Sequence, residues 1–335
     1  MIKNKKFILS KHFHGEPEEN NFSLIEELLP AIKDEEILCE ALWYSVDPYM
    51  RIYTARYPVG ITMIGLQVAK VIESKHNNYQ VGDLVVGFFG WQTHTIVDIS
   101  QPPPPGHLKP YKIPNFGDLP LSLALGVLGR PGNSAYFGFL EICQPKKGEV
   151  VVVSGAAGAV GSHVGQIARI KGCKVIGFAG SDEKVKWLIK DLGFDHAFNY
   201  KTYDIESALK EAAPEGIDCY FDNVGGEISS KVINHMNTHG RIAVCGSISS
   251  YNMDNEKPQA SVIQPAIVGN QLKMEGFIVA RWLDRFMEGI MQNYEWVKMG
   301  KLKYFETITE GFENLPRAFI DMMKGCNFGK AVVRA

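Results

Sequence analysis

The chain has 335 residues, of which 45% are hydrophobic, and it carries a formal net charge of −2. Its length predicts about two domains, each with a hydrophobic core. The near-neutral charge gives no electrostatic reason to bind nucleic acid or an anionic membrane. The N-terminus lacks the apolar stretch of a signal peptide, and no apolar run is long enough to span a bilayer. We therefore expect a soluble, cytoplasmic protein.

The six cysteines are widely scattered and include no C-x-x-C pair, which argues against a zinc knuckle and a redox-active dithiol. We interpret them as small, buried hydrophobic residues in a reducing compartment. The histidines His12, His14, His76 and His94 show no spacing typical of metal ligands. No metal is therefore expected.

Residues 1 to 125 contain short β-type segments separated by turns, for example at 37–46, at 67–72 and after the turn at 81–83. This spacing is typical of a compact, mostly β domain. The prolines at 102–105 cannot continue a helix or a central strand, and they predict an exposed loop or stiff connector.

After residue 125 the pattern changes to alternating strands and helices. Strands are predicted at 150–154, 174–178, 196–199, 217–221, 241–245 and 273–279, and helices at 160–171, 182–192, 203–212, 227–237 and 281–300. Parallel strands with helical crossovers make a doubly wound sheet, which binds its ligand at the carboxyl ends of the strands. Residues 305–335 return to short β segments and are expected to rejoin the first domain.

A glycine-rich turn follows the four valines at 150–153. Its glycines, Gly155, Gly158 and Gly161, are spaced as G-x-x-G-x-x-G, a variant of the dinucleotide-binding fingerprint. A strand that leads into such a turn points backbone N–H groups and a helix N-terminus at one place, which favours a phosphate. A glycine turn can also simply join a strand to a helix, but here both flanking elements are legible.

The end of the second predicted strand of this sheet favours NADP over NAD. NAD-selective sites place a carboxylate there to hold the ribose 2′-hydroxyl, whereas this strand ends in Gly180 and Ser181. Lys184 can neutralise a 2′-phosphate, and Tyr200 after the third strand can flank it. Lys184 can equally be a solvated helix lysine, and Asp182 argues for NAD unless it is an ordinary acid of the first helical turn.

Segments along nearly the whole chain match one family. They include VDPYMR at 46–51, AAGAVGS at 156–162, GSDEKV at 180–185, DCYFDNVGGE at 218–227 and FGK at 328–330. In these segments the chain resembles the prostaglandin reductases, a zinc-free branch of the medium-chain dehydrogenase/reductase superfamily. The resemblance implies an α/β protein with a GroES-like, mostly β catalytic domain (1–125 and 302–335) and a Rossmann NADP-binding domain (126–301). It also implies a homodimer joined through the Rossmann domains.

The resemblance further implies which residues contact NADP(H). They are Gly158, Ala159, Val160, Gly161, Lys184, Tyr200, Asn223, Cys245, Gly246, Ser247, Ile248, Ser249, Ser250, Tyr251, Phe277, Ile278, Val279 and Asn327. Two features depart from the family pattern. The loop that usually reads MPGLTAY is RPGNSAY at 130–136, so that Arg130 and Asn133 replace apolar residues, and the proline run at 102–105 is unusual. Both bear on substrate preference more than on cofactor binding.

The implied chemistry uses no metal. A zinc dehydrogenase needs Cys, His and carboxylate ligands, but GLQ stands at 65–67 where Gly-His-Glu would fall. The implied reaction is NADPH-dependent reduction of the double bond of α,β-unsaturated ketones and aldehydes, such as 15-oxo-prostaglandins and lipid-derived alkenals. NADP-dependent oxidation of the 12-hydroxyl of leukotriene B4 is implied as well. Such a site must orient two reactants and stabilise an oxyanion.

Tyr251, which follows the fifth predicted strand, is the candidate hydrogen-bond donor to that oxyanion, together with the cofactor ribose. It can alternatively pack on the ribose. Tyr49, Arg56 and Tyr57 are expected to line the substrate cleft. Arg56 or Arg130 can pair with the carboxylate of a fatty-acid-like substrate. No His or carboxylate stands out as the proton donor, so that solvent can deliver the final proton.

Two other functions remain open at this stage. One is an NADPH:quinone reductase, a zinc-free relative with similar requirements. The other is a nucleotide-binding protein without catalysis, of the crystallin or RNA-binding kind. The lack of a basic stripe and of an aromatic-basic RNA motif argues against the latter.

Overall fold

A computed structural model describes residues 2–253 and 259–335. The chain splits into two compact units, one made of Met1–Gly126 and Glu306–Ala335 and the other of Val127–Phe305. The sequence placed these divisions at 125/126 and 301/302. Within the described residues no helix has the length and apolar character needed to cross a membrane.

The first segment of the first unit is mostly β-structure. Its elements are β1 (Lys3–Leu9), β2 (Phe22–Leu28), β3 (Glu36–Ser45), the helix α1 (Tyr49–Tyr53), β4 (Gln67–Ser74), β5 (Leu84–Gly87), β6 (His94–Asp98) and β7 (Tyr111–Lys112). A 3-10 helix, Thr54–Arg56, continues α1, and another spans Leu121–Leu125. Residues 102–105 lie outside helices and strands, as the prolines predict.

The second unit alternates strands and helices. Its elements are α2 (Arg130–Phe137), β8 (Val150–Val153), α3 (Gly161–Ile170), β9 (Lys174–Ala179), α4 (Asp182–Lys190), β10 (His196–Asn199), α5 (Ile205–Ala212), β11 (Ile217–Asp222), α6 (Gly226–Asn234), β12 (Met236–Val244), α7 (Gln264–Gly269), β13 (Lys273–Gly276) and α8 (Phe286–Lys298). The strands form one parallel sheet in the order β10-β9-β8-β11-β12-β13. The order reverses between β8 and β11, which is where such sheets bind their ligands.

The valines of β8 explain why this strand is central. Val151, Val152 and Val153 are fully buried, as expected of a strand that is covered on both faces by helices. Together with the β-rich first unit, this parallel sheet confirms the predicted α/β fold class.

The last segment returns to the first unit as β14 (Glu306–Glu310), α9 (Leu315–Met323) and β15 (Lys330–Arg334). β15 pairs antiparallel with β3, with Val333 opposite Tyr44, and the sheet runs β14-β15-β3-β4-β5-β7. The helix α9 was missed. Its buried residues Leu315, Ala318, Phe319 and Met322 repeat at helical spacing, so a signal was present in the sequence.

Several predicted boundaries are wrong for identifiable reasons. β12 begins at Met236, so the predicted helix at 227–237 ends at Asn234. The predicted helix at 281–300 is divided into a 3-10 helix, Val279–Arg285, and α8, because Arg285 before α8 has non-helical dihedrals. The predicted strand at 273–279 ends at Gly276. The segment at 130–136, expected as a loop, forms α2, whose first turn tolerates Pro131 because no intrahelical N–H is needed there.

The cysteine prediction holds for Cys39, Cys143, Cys173 and Cys219, which are buried and in no disulfide. It is wrong for Cys326, which is exposed, and Cys245 is only partly covered. Both lie just beyond or outside regular strands, where burial is not enforced by the sheet.

Candidate functional site

The glycine turn after β8 leaves little room for side chains at its glycines. Gly155 has φ +58°, and a Cβ on Gly161 would lie 2.4 Å from the carbonyl oxygen of Gly155. A Cβ on Gly158 would lie 3.3 Å from the same oxygen. Because α3 begins at Gly161, its N-terminus stands directly over the end of β8. This cradle fits the pyrophosphate of a dinucleotide.

The buried carboxylate of Asp222 joins the ends of β8 and β11 beside that turn. One oxygen accepts hydrogen bonds from Ser154 Oγ at 2.9 Å and Tyr220 Oη at 2.8 Å. It also accepts from the N–H groups of Val224 and Gly225, at 3.0 and 2.9 Å. Four donors satisfy a group that would otherwise be costly to bury. The sequence analysis missed this role of Asp222, although a carboxylate at the end of an apolar strand is a readable signal.

Three predicted cofactor segments meet at this carboxyl edge. Asn223 donates its side-chain amide to the Ser154 carbonyl at 2.7 Å, and a Cβ on Gly155 would lie 3.4 Å from the Asn223 side chain. The N–H of Cys245 donates to the Asp222 carbonyl at 2.8 Å. The glycine turn, Asn223 and the loop 245–251 are therefore contiguous.

The loop 245–251 folds back on itself through Tyr251. The Tyr251 hydroxyl accepts a hydrogen bond from the Ser247 N–H at 3.2 Å. The Ser249 hydroxyl donates to the Val224 carbonyl at 2.6 Å, and the hydroxyls of Ser247 and Ser250 are 3.1 Å apart. These contacts give the tyrosine ring a defined place beyond the end of β12.

The ends of β9 and β10 bring together the residues expected around a 2′-phosphate. A Cβ on Gly180 would lie 3.2 Å from the Tyr200 hydroxyl, so that Tyr200 lies across this glycine. Ser181 caps α4 by accepting from the N–H of Lys184 at 3.3 Å. Asp182 accepts from the Asn199 side-chain amide at 2.8 Å. One oxygen of the Asp182 carboxylate is thus bonded within the fold, although the residue is exposed and lies in the first turn of α4.

The segment after β13 also reaches this edge of the sheet. The Phe277 N–H donates to the Val244 carbonyl at 3.2 Å. The Phe277 ring packs against Phe221 and Trp282, with centroid distances of 5.9 and 5.5 Å. Ile278 is 60% exposed, whereas Val279 is buried. The Phe277 ring is therefore packed in an aromatic cluster. Among residues 277–279, Ile278 has the exposed side chain.

In the first unit, the candidate substrate residues lie on α1 and the 3-10 helix that follows. The rings of Tyr49 and Tyr53 are 5.3 Å apart, and the guanidinium of Arg56 lies 5.0 Å from the Tyr53 ring centroid. Arg56 and Tyr57 are exposed. Tyr53 was missed, although its spacing of four residues from Tyr49 places both on one helix face.

Two candidates remain, Arg130 and Asn327. Arg130 begins α2 and is half-buried. Asn327, in the first unit, donates its side-chain amide to the Gly329 carbonyl at 2.8 Å.

Two family models match the chain. Residues 5–103 match an N-terminal domain of oxidoreductases, and residues 159–295 match a zinc-binding dehydrogenase. In the ranges 2–253 and 259–335 no group of three or more His, Cys, Asp or Glu side chains is placed to hold a metal ion. The described residues thus do not fit a zinc ion.

Comparison with known proteins extends the match to the full length. The chain is 51% identical over 338 residues to prostaglandin reductase 1 of Rattus norvegicus, covering 100% of both. It is 39% identical to the NADP(+)-dependent 2-alkenal reductase of Nicotiana tabacum, covering 99% of the chain and 97% of the relative. The structure of CurA from Vibrio vulnificus in complex with NADPH superposes with a TM-score of 0.90 at 37% identity, covering 99% of each chain.

The doubly wound sheet and its glycine cradle define a dinucleotide-dependent oxidoreductase of the medium-chain dehydrogenase/reductase superfamily. Within that class, the chain belongs to the prostaglandin reductase family. The resemblance inferred from the sequence is thereby confirmed.

Proposed function

We propose that the protein uses NADPH to reduce the carbon–carbon double bond of α,β-unsaturated ketones and aldehydes. The observation that carries this proposal is full-length identity of 51% to a prostaglandin reductase, with the glycine cradle intact. The 2-alkenal reductase of tobacco points to the same substrate class. The substrates proposed are 15-oxo-prostaglandins and lipid-derived alkenals.

The cofactor would be held along the carboxyl edge of the parallel sheet. The pyrophosphate is assigned to residues 158–161 and the 2′-phosphate to Lys184 and Tyr200. One oxygen of the Asp182 carboxylate accepts from Asn199, and this local structural role of Asp182 supports NADP. The remaining contacts are assigned to Asn223, the loop 245–251, residues 277–279 and Asn327. When bound, NADPH supplies the hydride that reaches the β-carbon of the substrate.

Tyr251 is the proposed hydrogen-bond donor to the substrate carbonyl oxygen, where negative charge develops. A hydroxyl has one donor and two acceptor positions, and its bond from the Ser247 N–H uses an acceptor position. Hydrogen bonds in a chain polarise one another, so the Ser247 N–H makes the hydroxyl a better donor. Solvent then delivers the proton to the α-carbon.

Tyr49, Arg56 and Tyr57 are proposed to contact the substrate, as is Arg130. The packing of Tyr49, Tyr53 and Arg56 supports this, because it offers an apolar surface beside a cation. A fatty-acid-like substrate would use both, its chain against the rings and its carboxylate at the guanidinium.

The test follows NADPH absorbance with 15-oxo-prostaglandin E2, trans-2-nonenal and a benzoquinone, side by side. Turnover of the first two with little quinone turnover is the expected result. Quinone turnover alone would indicate a quinone reductase instead. NADPH binding without turnover of any compound would indicate a protein without catalysis. Incubation of leukotriene B4 with NADP⁺ tests the proposed 12-hydroxyl oxidation.

A homodimer joined through the second units, in the cytoplasm, completes the proposal. β13 stands at one end of the parallel sheet order, and Met274 on this strand is 40% exposed. An edge strand with exposed apolar side chains is suited to pairing with a second copy. Light scattering should give twice the chain mass, and Met274→Lys should shift the protein towards monomer. A monomeric wild type would contradict the dimer.

A further inference from the structure

A buried lysine, Lys330, connects the last strand of the first unit to the start of α1. Its side chain is 2% exposed. Its ammonium donates to the carbonyls of Val46 at 2.6 Å and Ala331 at 2.7 Å, and it lies 3.1 Å from a carboxylate oxygen of Asp47. Lys330 and Val46 are 284 positions apart in sequence. A buried ammonium needs such partners, because its desolvation is otherwise very costly.

The residues held by Lys330 lead directly into the candidate substrate segment. The second carboxylate oxygen of Asp47 accepts a hydrogen bond from the Ser45 hydroxyl. The Asp47 carbonyl accepts from the N–H of Met50 at 3.2 Å, which closes the first turn of α1. Tyr49 lies inside the turn that the Asp47 carbonyl and the Met50 N–H close. Its position therefore depends on the positions of Val46 and Asp47, which Lys330 binds.

The helix α1 cannot set its own position. It has five residues, and helices of that length are unstable without tertiary contacts. A buried ion pair adds little stability compared with apolar residues of the same volume. The Lys330 ammonium instead fixes the path of the chain before α1, because its hydrogen bonds to two carbonyls and a carboxylate hold these groups in place.

One further titratable group faces the ammonium from β14. Glu306 is partly buried, and burial raises the pKa of its carboxyl while Lys330 lowers it. One of its oxygens accepts from the Ser122 hydroxyl at 2.7 Å. Burial lowers the pKa of Lys330, and Asp47 and Glu306 oppose that shift. The ammonium thus contacts one carboxylate of its own unit, Asp47, and interacts electrostatically with a second, Glu306.

We propose that Lys330 is a positioning residue for the reduction, which places Tyr49 for contact with the substrate through Val46 and Asp47. This inference rests on the proposed function, because it assigns Tyr49 to the substrate. It concerns a residue that touches neither substrate nor cofactor and acts through the start of α1.

The test compares Lys330→Met with Val332→Ala. Both positions lie on β15 and are buried, so both variants lower the melting temperature, but only the first removes the hydrogen bonds to Val46 and Asp47. Lys330→Met should raise KM for trans-2-nonenal about tenfold, as expected for misplacement of a substrate contact. The Kd for NADPH should stay within about twofold, since its proposed contacts lie almost wholly in the second unit. Val332→Ala should leave both constants near wild type. Equal KM values in the two variants would overturn the proposal.

Two further measurements cover the remaining outcomes. If Lys330→Met does not fold, Asp47→Asn takes its place, because it keeps the side-chain shape and removes the charge that faces the ammonium. A KM for nonenal unchanged in Asp47→Asn would overturn the proposal. If the wild type reduces no enone, the proposed function fails by itself. Amide hydrogen exchange at residues 47–53 then tests the positioning role of Lys330. Exchange should be faster in Lys330→Met than in Val332→Ala, and equal exchange rates would overturn the proposal.

Discussion

The glycine turn of the second unit and the Tyr49–Arg56 segment of the first unit are built in different ways. The turn is made of backbone and small residues that are neighbours in sequence, and the residue before it is held by Asp222, one oxygen of which accepts four hydrogen bonds. The Tyr49–Arg56 segment presents long side chains on a short helix, anchored by Lys330 from the far end of the chain. We infer that the turn tolerates almost no substitution of its glycines. Substitutions in the Tyr49–Arg56 segment should be tolerated to an extent that differs from one substrate to another.

The largest effect is expected from Gly161→Val. A Cβ at this position would stand 2.4 Å from the Gly155 carbonyl oxygen and 2.9 Å from Ala156 Cα, and backbone atoms cannot move aside cheaply. We expect NADPH affinity to fall at least about 100-fold, because the cradle depends on this close approach. Gly269→Ala is the control, since no atom lies within 4 Å of its Cβ. Fluorescence titration with NADPH measures both, and equal affinities would refute the cradle.

Tyr251→Phe should lower kcat about 100-fold if the hydroxyl stabilises the oxyanion. NADPH affinity should change little, because the ring remains. Tyr203→Phe, which removes an exposed hydroxyl bonded to Glu211, provides the control. Steady-state kinetics with nonenal distinguish the two interpretations of Tyr251. Unchanged turnover would leave it only the packing role.

A histidine behind the glycine turn makes stability depend on pH. Burial lowers the pKa of His163 from 6.5 to about 4. The unfolded chain therefore binds a proton below pH 6.5 that the native protein refuses until about pH 4. As the pH falls from 6.5 to about 4, the free energy of unfolding should therefore decrease, by up to about 3 kcal/mol. Urea unfolding at pH 7, 6 and 5 should show a shallower fall in His163→Leu, and equal slopes would contradict the assignment.

Lys184→Ala tests the cofactor preference. Loss of one cation at the 2′-phosphate should raise KM for NADPH about tenfold and leave KM for NADH nearly unchanged. The exposed Lys186 on the same helix supplies the control, Lys186→Ala. If both variants keep the wild-type ratio of NADPH to NADH efficiency, Lys184 is an ordinary solvated lysine.

The smallest effect is expected from Arg56→Ala in the Tyr49–Arg56 segment. The guanidinium is exposed, so its pairing with a substrate carboxylate is worth about 1 kcal/mol or less. Efficiency with 15-oxo-prostaglandin E2 should fall a few-fold, whereas efficiency with nonenal should not. Arg130→Ala can be measured in the same way. An equal loss for acidic and neutral substrates would remove the residue from carboxylate recognition.

Much of the second unit was readable from local pattern. The valine run and the glycines predicted β8, the turn and α3, because strand burial and turn geometry are set by adjacent residues. Errors occurred where a distant contact decided the outcome. The segment 130–136 was taken for a loop by its resemblance to the family, yet it forms α2, which packs against α8. Similarly, β12 starts early because Met236 pairs with Ile217 of β11, ahead of the regular pairing that begins at Arg241.

The amino-acid sequence by itself determined the alternation of strands and helices, the phosphate-binding turn and the family, since these depend on residue order over short spans. Only the tertiary structure showed that Asp182 is engaged by Asn199, that Tyr53 and Arg56 stack, and that Lys330 holds Val46 and Asp47. Such contacts join residues that are distant in the chain, or residues that have several possible partners nearby. Hydrogen bonds and packing of that kind depend on where folding brings the groups, which periodicity and spacing do not encode.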